Sequence, residues 1–80
     1  MRMERTYEAF REIVKKKLEK NLSAWKLSDE DLEKYLSEEE EQVRDAYAGY
    51  LHPRAKDDRK DEVRFDSAAG TVAYCLEMCY

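Results

Sequence analysis

The last fourteen residues, SAAGTVAYCLEMCY (67–80), carry one charge, Glu77, in a chain that is 42% charged overall. Ala69, Val72, Ala73, Leu76 and Cys79 or Tyr80 form one helical stripe. Ala68, Cys75 and Met78 form a second, and Tyr74 stands beside it. A helix that is apolar on most sides must be covered on most sides. Only 80 residues are present to cover it, and a domain of that size buries about 60–65% of the surface of its unfolded chain. The segment is too short to cross a bilayer, which takes about 20 apolar residues, and it lacks cationic anchors. It therefore reads as the helix around which the rest of the chain packs, with small residues at 68–70 that let another helix approach.

Two Gly and one Pro leave few interruptions. The sequence predicts an all-α fold: a single domain over 1–80, a small bundle of three to four helices with the near-apolar C-terminal helix packed centrally. The first helix spans about 4–21. Tyr7, Phe10, Val14 and Leu18 share a stripe with Met3 one step earlier, and Ile13 widens it. Glu4, Glu8 and Glu12 come early and Lys15, Lys16, Lys17 and Lys20 late, which suits the helix dipole. Asn21 is a stop residue. Trp25, the only tryptophan, is expected to anchor the helices to each other, the alternative being an exposed binding hot spot.

The second helix spans about 28–36, with Ser28 as cap, acids at 29–31 and Leu27 able to staple onto Leu32. A straight continuation would turn Glu39 or Glu40 inward, and Ser37 with Glu40 makes a second capping box. A break at Ser37 and a third helix over about 38–51 are therefore expected, with Val43, Ala46, Tyr47, Tyr50 and Leu51 carrying its pattern. Pro53 ends it, and 52–62 is a charged loop. The last helix is placed at 66–79, capped by Asp66, with Phe65 plugging the core from outside it. The expected core is Phe10, Val14, Leu18, Trp25, Leu32, Leu36 and Val43, then Tyr47, Leu51, Phe65, Val72, Leu76 and Cys79.

No spacing specifies catalysis, a metal or a cofactor, so the expectation is no enzyme and no cofactor. His52 has neither nucleophile nor orienting acid set by spacing, and beside Pro53 it reads as a cap for helix carbonyls. Cys75 and Cys79 with His52 make three ligands where structural zinc takes four. A site shared across a dimer would be the exception, and the thiols read as buried small hydrophobes. DEDLEKYLSEEE lacks the glycine and alternating acids of a calcium loop. MRMERTYEAF has no apolar core of the secretory kind, so a reduced, cytoplasmic protein is expected.

Charge sits in blocks. Residues 1–27 hold eight Lys and Arg against four acids, and residues 28–45 hold nine acids against Lys34 and Arg44. The acidic block (Asp29, Glu30, Glu33, Glu38, Glu39, Glu40, Glu41 and Asp45) could imitate nucleic-acid phosphates and occupy a basic groove on a partner, or be a solvated helix face. The basic helix, through Arg11, Lys15, Lys16 and Lys20, could touch nucleic acid directly, but it lacks the aromatic interleaving of RNA modules. Its alternative is to pair with the acidic helix inside the molecule. Of six tyrosines, Tyr50, Tyr74 and Tyr80 are expected to be partly exposed. Tyr74, Met78 and Tyr80 form the leftover face of the last helix, a homodimer or partner seam.

The charged helical body followed by AAGTVAYCLEMCY resembles small proteins carried by phages and mobile elements of gut Firmicutes. Such elements encode many small acidic inhibitors of host defence, anti-CRISPR proteins among them. The resemblance implies a non-enzymatic interaction protein with a host protein as partner, and it assigns no role to any residue.

Overall fold

The structure is a computed structural model and describes residues 5–56 and 58–80; Met3 and Glu4, read above into the first helix, lie outside them. The first local signal in the described chain is Thr6, an extended residue whose hydroxyl accepts the Ala9 amide at 3.1 Å and starts α1 (Tyr7–Asn21). The Leu22 amide closes the helix onto the Leu18 carbonyl at 2.8 Å. A 3-10 turn, Ser23–Trp25, follows. The left-handed residue that reverses the chain is Lys26 (φ 52°, ψ 45°), after this turn, and Asn21 is simply the last helical residue.

α2 (Asp29–Glu38) opens on a reciprocal capping box: the Asp31 amide donates to Ser28 Oγ and the Ser28 amide to Asp31 Oδ2, both at 3.1 Å. The break before α3 (Glu40–Leu51) falls at Glu39, two residues beyond Ser37, and no side-chain cap marks it. Glu39 keeps a helix-like bond to the Tyr35 carbonyl at 3.0 Å while its own carbonyl accepts the Gln42 and Val43 amides. This slight bend leaves Glu39 and Glu40 half-exposed and returns Val43 to the core.

α4 (Asp61–Cys79) starts five residues earlier than the sequence predicts, and the charged connection shrinks to 52–60. Asp66 is inside the helix and pairs with Lys17 at 3.2 Å, so it caps nothing. Phe65 is on the helix too. With Ala69, Val72, Ala73 and Leu76 it makes a continuous buried stripe. The early start has a tertiary cause: Asp61, suited to the positive helix end, accepts from Arg5 Nε at 2.5 Å and the Tyr50 hydroxyl at 2.6 Å. Arg64, one turn on, donates to the Tyr50 carbonyl at 2.8 Å.

Among the described residues these are four α-helices and no strand, an all-α bundle. α4 packs against both α1 and α3, and α1 is the helix that touches all the others. The pairs Arg5–Asp61, Phe10–Phe65 and Lys17–Asp66 show that α1 and α4 run in the same direction. Fully buried Phe10 and Phe65 meet edge to face at 5.4 Å, and rings of Tyr47 and Tyr50 extend the cluster. α2 adds Leu32 and Leu36, and the Tyr35 hydroxyl reaches the Leu76 carbonyl at 2.7 Å. The molecule is 19 Å across its thinnest axis, about two helices. α4 is therefore covered from one side, and its outer side stays open.

Three expectations about the core are corrected. Trp25 is 63% exposed, because Leu22 extends the Phe10, Val14, Leu18 stripe by one more turn and takes the buried place. Leu51 is exposed and Tyr50 buried: two turns from Val43 lead to position 50, and Asp61 satisfies the hydroxyl there. Cys75 and Cys79 are exposed, Cys75 on the open side of α4 and Cys79 beyond the last covered turn. His52 is exposed, and it ends α3 through its backbone amide, bonded to the Ala48 carbonyl at 2.8 Å.

Phe65→Ala is expected to cost about 3–5 kcal/mol in urea unfolding, and Trp25→Ala less than about 1 kcal/mol. The reverse order would mean that Trp25, and not Phe65, is the anchor. The tyrosines divide as well. Tyr50→Phe should lose about 1 kcal/mol with its bond to Asp61. Tyr7→Phe should lose nothing, since the buried Tyr7 hydroxyl has no hydrogen-bond partner among the described residues.

Candidate interaction surface

Helical spacing places Arg11 and Lys15 one turn apart on α1, and Asp29 and Glu33 one turn apart on α2. Packing the two helices brings these pairs together. Arg11 reaches Glu33 at 2.7 Å, and Lys15 bridges Asp29 at 2.6 Å and Glu33 at 2.9 Å. The Lys15 ammonium is stabilised in its charged form by the Asp29 and Glu33 carboxylates, which raises its pKa. Lys15 and Arg11 hold the Glu33 carboxyl below the usual carboxylate range. Two of the sequence-selected acids and two of the selected cations are thus spent on each other.

The other acids divide between local contacts and solvent. Glu39 accepts from Gln42 Nε2 at 2.5 Å, and Glu40 from Arg44 at 3.2 Å; Arg44 also lies over the Tyr7 ring, 4.5 Å from its centre. Asp31 is held in its capping box. Glu30, Glu38, Glu41 and Asp45 are exposed along the outer side of α2 and α3, with Lys34 the cation among them on α2. Of the basic set, Lys16 and Lys20 are exposed, and the structure adds Lys26 to them around a shallow cleft that Glu19 also lines. The sequence gives no signal for Lys26, because the turn at Ser23–Trp25 decides where it points.

The three residues of the expected seam separate. Tyr74 and Met78 stand one turn apart on the open side of α4, 60% and 68% exposed. Tyr80 turns the other way, edge-on to Tyr35 at 5.1 Å and to Trp25 at 5.5 Å. Ser67 and Thr71, unremarked in the sequence because they are polar, share the open side with Tyr74 and Met78.

Among the described residues no group of three or more His, Cys, Asp and Glu gathers as a metal site. No helix among them is long and apolar enough to cross a membrane. Comparison with protein-family models, curated proteins and solved structures finds no match to this chain.

The ion pairs set a pH dependence. The folded pKa of Glu33 is depressed, so the unfolded chain binds more protons near the carboxyl's ordinary value of 4.5. Its stabilising contribution is present above that value and is lost as pH falls through the lower folded value. Asp61, held low by the Tyr50 hydroxyl and Arg5, behaves the same way. Lys15 contributes below its ordinary 10.5 and loses the contribution as pH rises through its higher folded value. Urea midpoints measured against pH should show a plateau between these limbs, and Glu33→Gln should flatten the acid limb. An unchanged acid limb would mean that this pairing does not form in solution.

Proposed function

We propose that this protein is a small non-enzymatic interaction module that presents the acidic outer ridge of α2 and α3 to a basic, nucleic-acid-binding site on a host protein. The observation that carries this reading is the unequal outcome of internal pairing. Arg11 and Lys15, half of the cations that direct nucleic-acid binding would use, are bound to Asp29 and Glu33. The ridge nevertheless keeps Glu30, Glu38, Glu41 and Asp45 exposed. An exposed run of one sign steers a partner of the opposite sign and weakens with salt. Resemblance to small phage and mobile-element proteins supports the same class, an inhibitor of host defence of the anti-CRISPR kind acting in the cytoplasm.

A second reading, a nucleic-acid accessory protein, rests on the lysines 16, 20 and 26 around one cleft. Two measurements separate the readings. Duplex and single-strand binding at about 0.15 M salt should be undetectable for the wild type. A partner captured from a bacterial lysate should be released by salt or by added nucleic acid, and Glu38→Lys with Glu41→Lys should abolish capture. Nucleic-acid binding that disappears when Lys16 and Lys20 are replaced would sink the acidic-ridge reading.

A further inference from the structure

The open side of α4 carries Val63, Ser67, Thr71, Tyr74 and Met78, an uncharged row at steps of four, four, three and four. Val63, Tyr74 and Met78 are 47%, 60% and 68% exposed. An uncharged helix face of this length stands out in a chain that is 42% charged. The order of sizes along it identifies what it fits. When the row is laid against its own reverse, Val63 meets Met78 and Ser67 meets Tyr74, and the axis falls between Gly70 and Thr71. Small opposes large at the Ser67–Tyr74 step, and the middle of the row is small enough for two helices to approach closely.

Two charges on the α3 flank of the row, Arg59 and Asp45, obey the same reversal. A groove between α3 and α4 runs along one side of this row, floored by Ala46, Ala68 and Thr71. A side chain added at Gly49, on its α3 wall, would meet nothing within 4 Å, so the groove has room there. Arg59 lies at the Ser67 level, where its Nη1 donates to Ser67 Oγ at 3.3 Å. Asp45 lies at the other end, beside Thr71 and Cys75. An antiparallel two-fold pair sets like side against like side, which carries Arg59 of one copy to Asp45 of the other at both ends.

We propose that two copies of this chain associate through the open face of α4, antiparallel, about a two-fold axis beside Thr71. The occupant is a second copy because the row complements itself in both size and charge; an unrelated partner would require neither. A single helix-on-helix contact falls at the small end of protein interfaces, so the association is weak and depends on protein concentration. The pairing takes Asp45 from the acidic ridge and leaves Glu30, Glu38 and Glu41 outside the seam, and it stands whether or not those three have a partner.

Sedimentation equilibrium on the full chain, with protein from about 1 µM to 500 µM, should show a monomer–dimer equilibrium. With the exposed Cys75 and Cys79 replaced by Ser, Thr71→Cys should form a disulfide-linked dimer under mild oxidation, while Lys16→Cys on α1 should not. Asp45→Arg should weaken association about tenfold, and Asp45→Arg with Arg59→Asp should restore it. Unchanged melting of each variant shows that the fold is retained. A monomer at every concentration overturns the proposal. So does a dimer that Asp45→Arg leaves intact and Thr71→Cys fails to cross-link, or a chain that stays monomeric while a different protein covers Tyr74 and Met78.

Discussion

The edge-to-face contact of Phe10 with Phe65 is the constraint on which the rest of the molecule depends. It joins the two longest helices, α1 and α4, at a point where both rings are fully buried. These residues are 55 apart in sequence, so the contact closes most of the chain into one loop. Closing that loop carries an entropic cost that only substantial burial can offset. Tyr47 and Tyr50 complete the burial by packing their rings on Phe10 and Phe65. They direct their hydroxyls outward, to the Arg5 carbonyl and the Asp61 carboxylate. The aromatic cluster and the polar contacts at its rim therefore set one register. Asp61 must start α4 so that Phe65, one turn later, points at Phe10.

The same economy explains the two surfaces. A bundle two helices thick can bury one stripe of each helix and no more. α1 and α2 close their edge with the salt bridges of Arg11 and Lys15 to Asp29 and Glu33, groups whose separation in sequence hides their proximity. Half-exposed bridges of this kind add little stability individually. Their larger effect is on what remains, since they withdraw cations from the α1 surface and leave the outer ridge of α2 and α3 acidic. The outer row of α4, uncharged from Val63 to Met78, is left without a covering helix among the described residues.

Several features were legible in the sequence because they depend on neighbours within about one helical turn. The stripe Phe10, Val14, Leu18 and the caps at Ser28 and in the first turn of α2 are of this kind. So is the interruption near Ser37, although it falls at Glu39, where a bend without a cap suffices to clear two glutamates from the core. Trp25 misleads because size alone suggests burial, while the phase of α1 gives the inner place to Leu22. The choice of Tyr50 over Leu51 could not be read without Asp61, eleven residues on, waiting for its hydroxyl. The acidic block was visible as a block, but not which of its members would be neutralised.

What the sequence by itself determined is the set of helices, their apolar stripes and the blocks of charge, because hydrogen bonding and side-chain adjacency within a helix reach only three or four residues. Where α4 begins, which carboxylates stay unpaired, and which side of the C-terminal helix faces water were decided by the tertiary structure alone. Each of these rests on a contact between residues far apart in the chain, Arg5 with Asp61, Lys15 with Asp29 and Phe10 with Phe65, and such contacts exist only once the helices have packed.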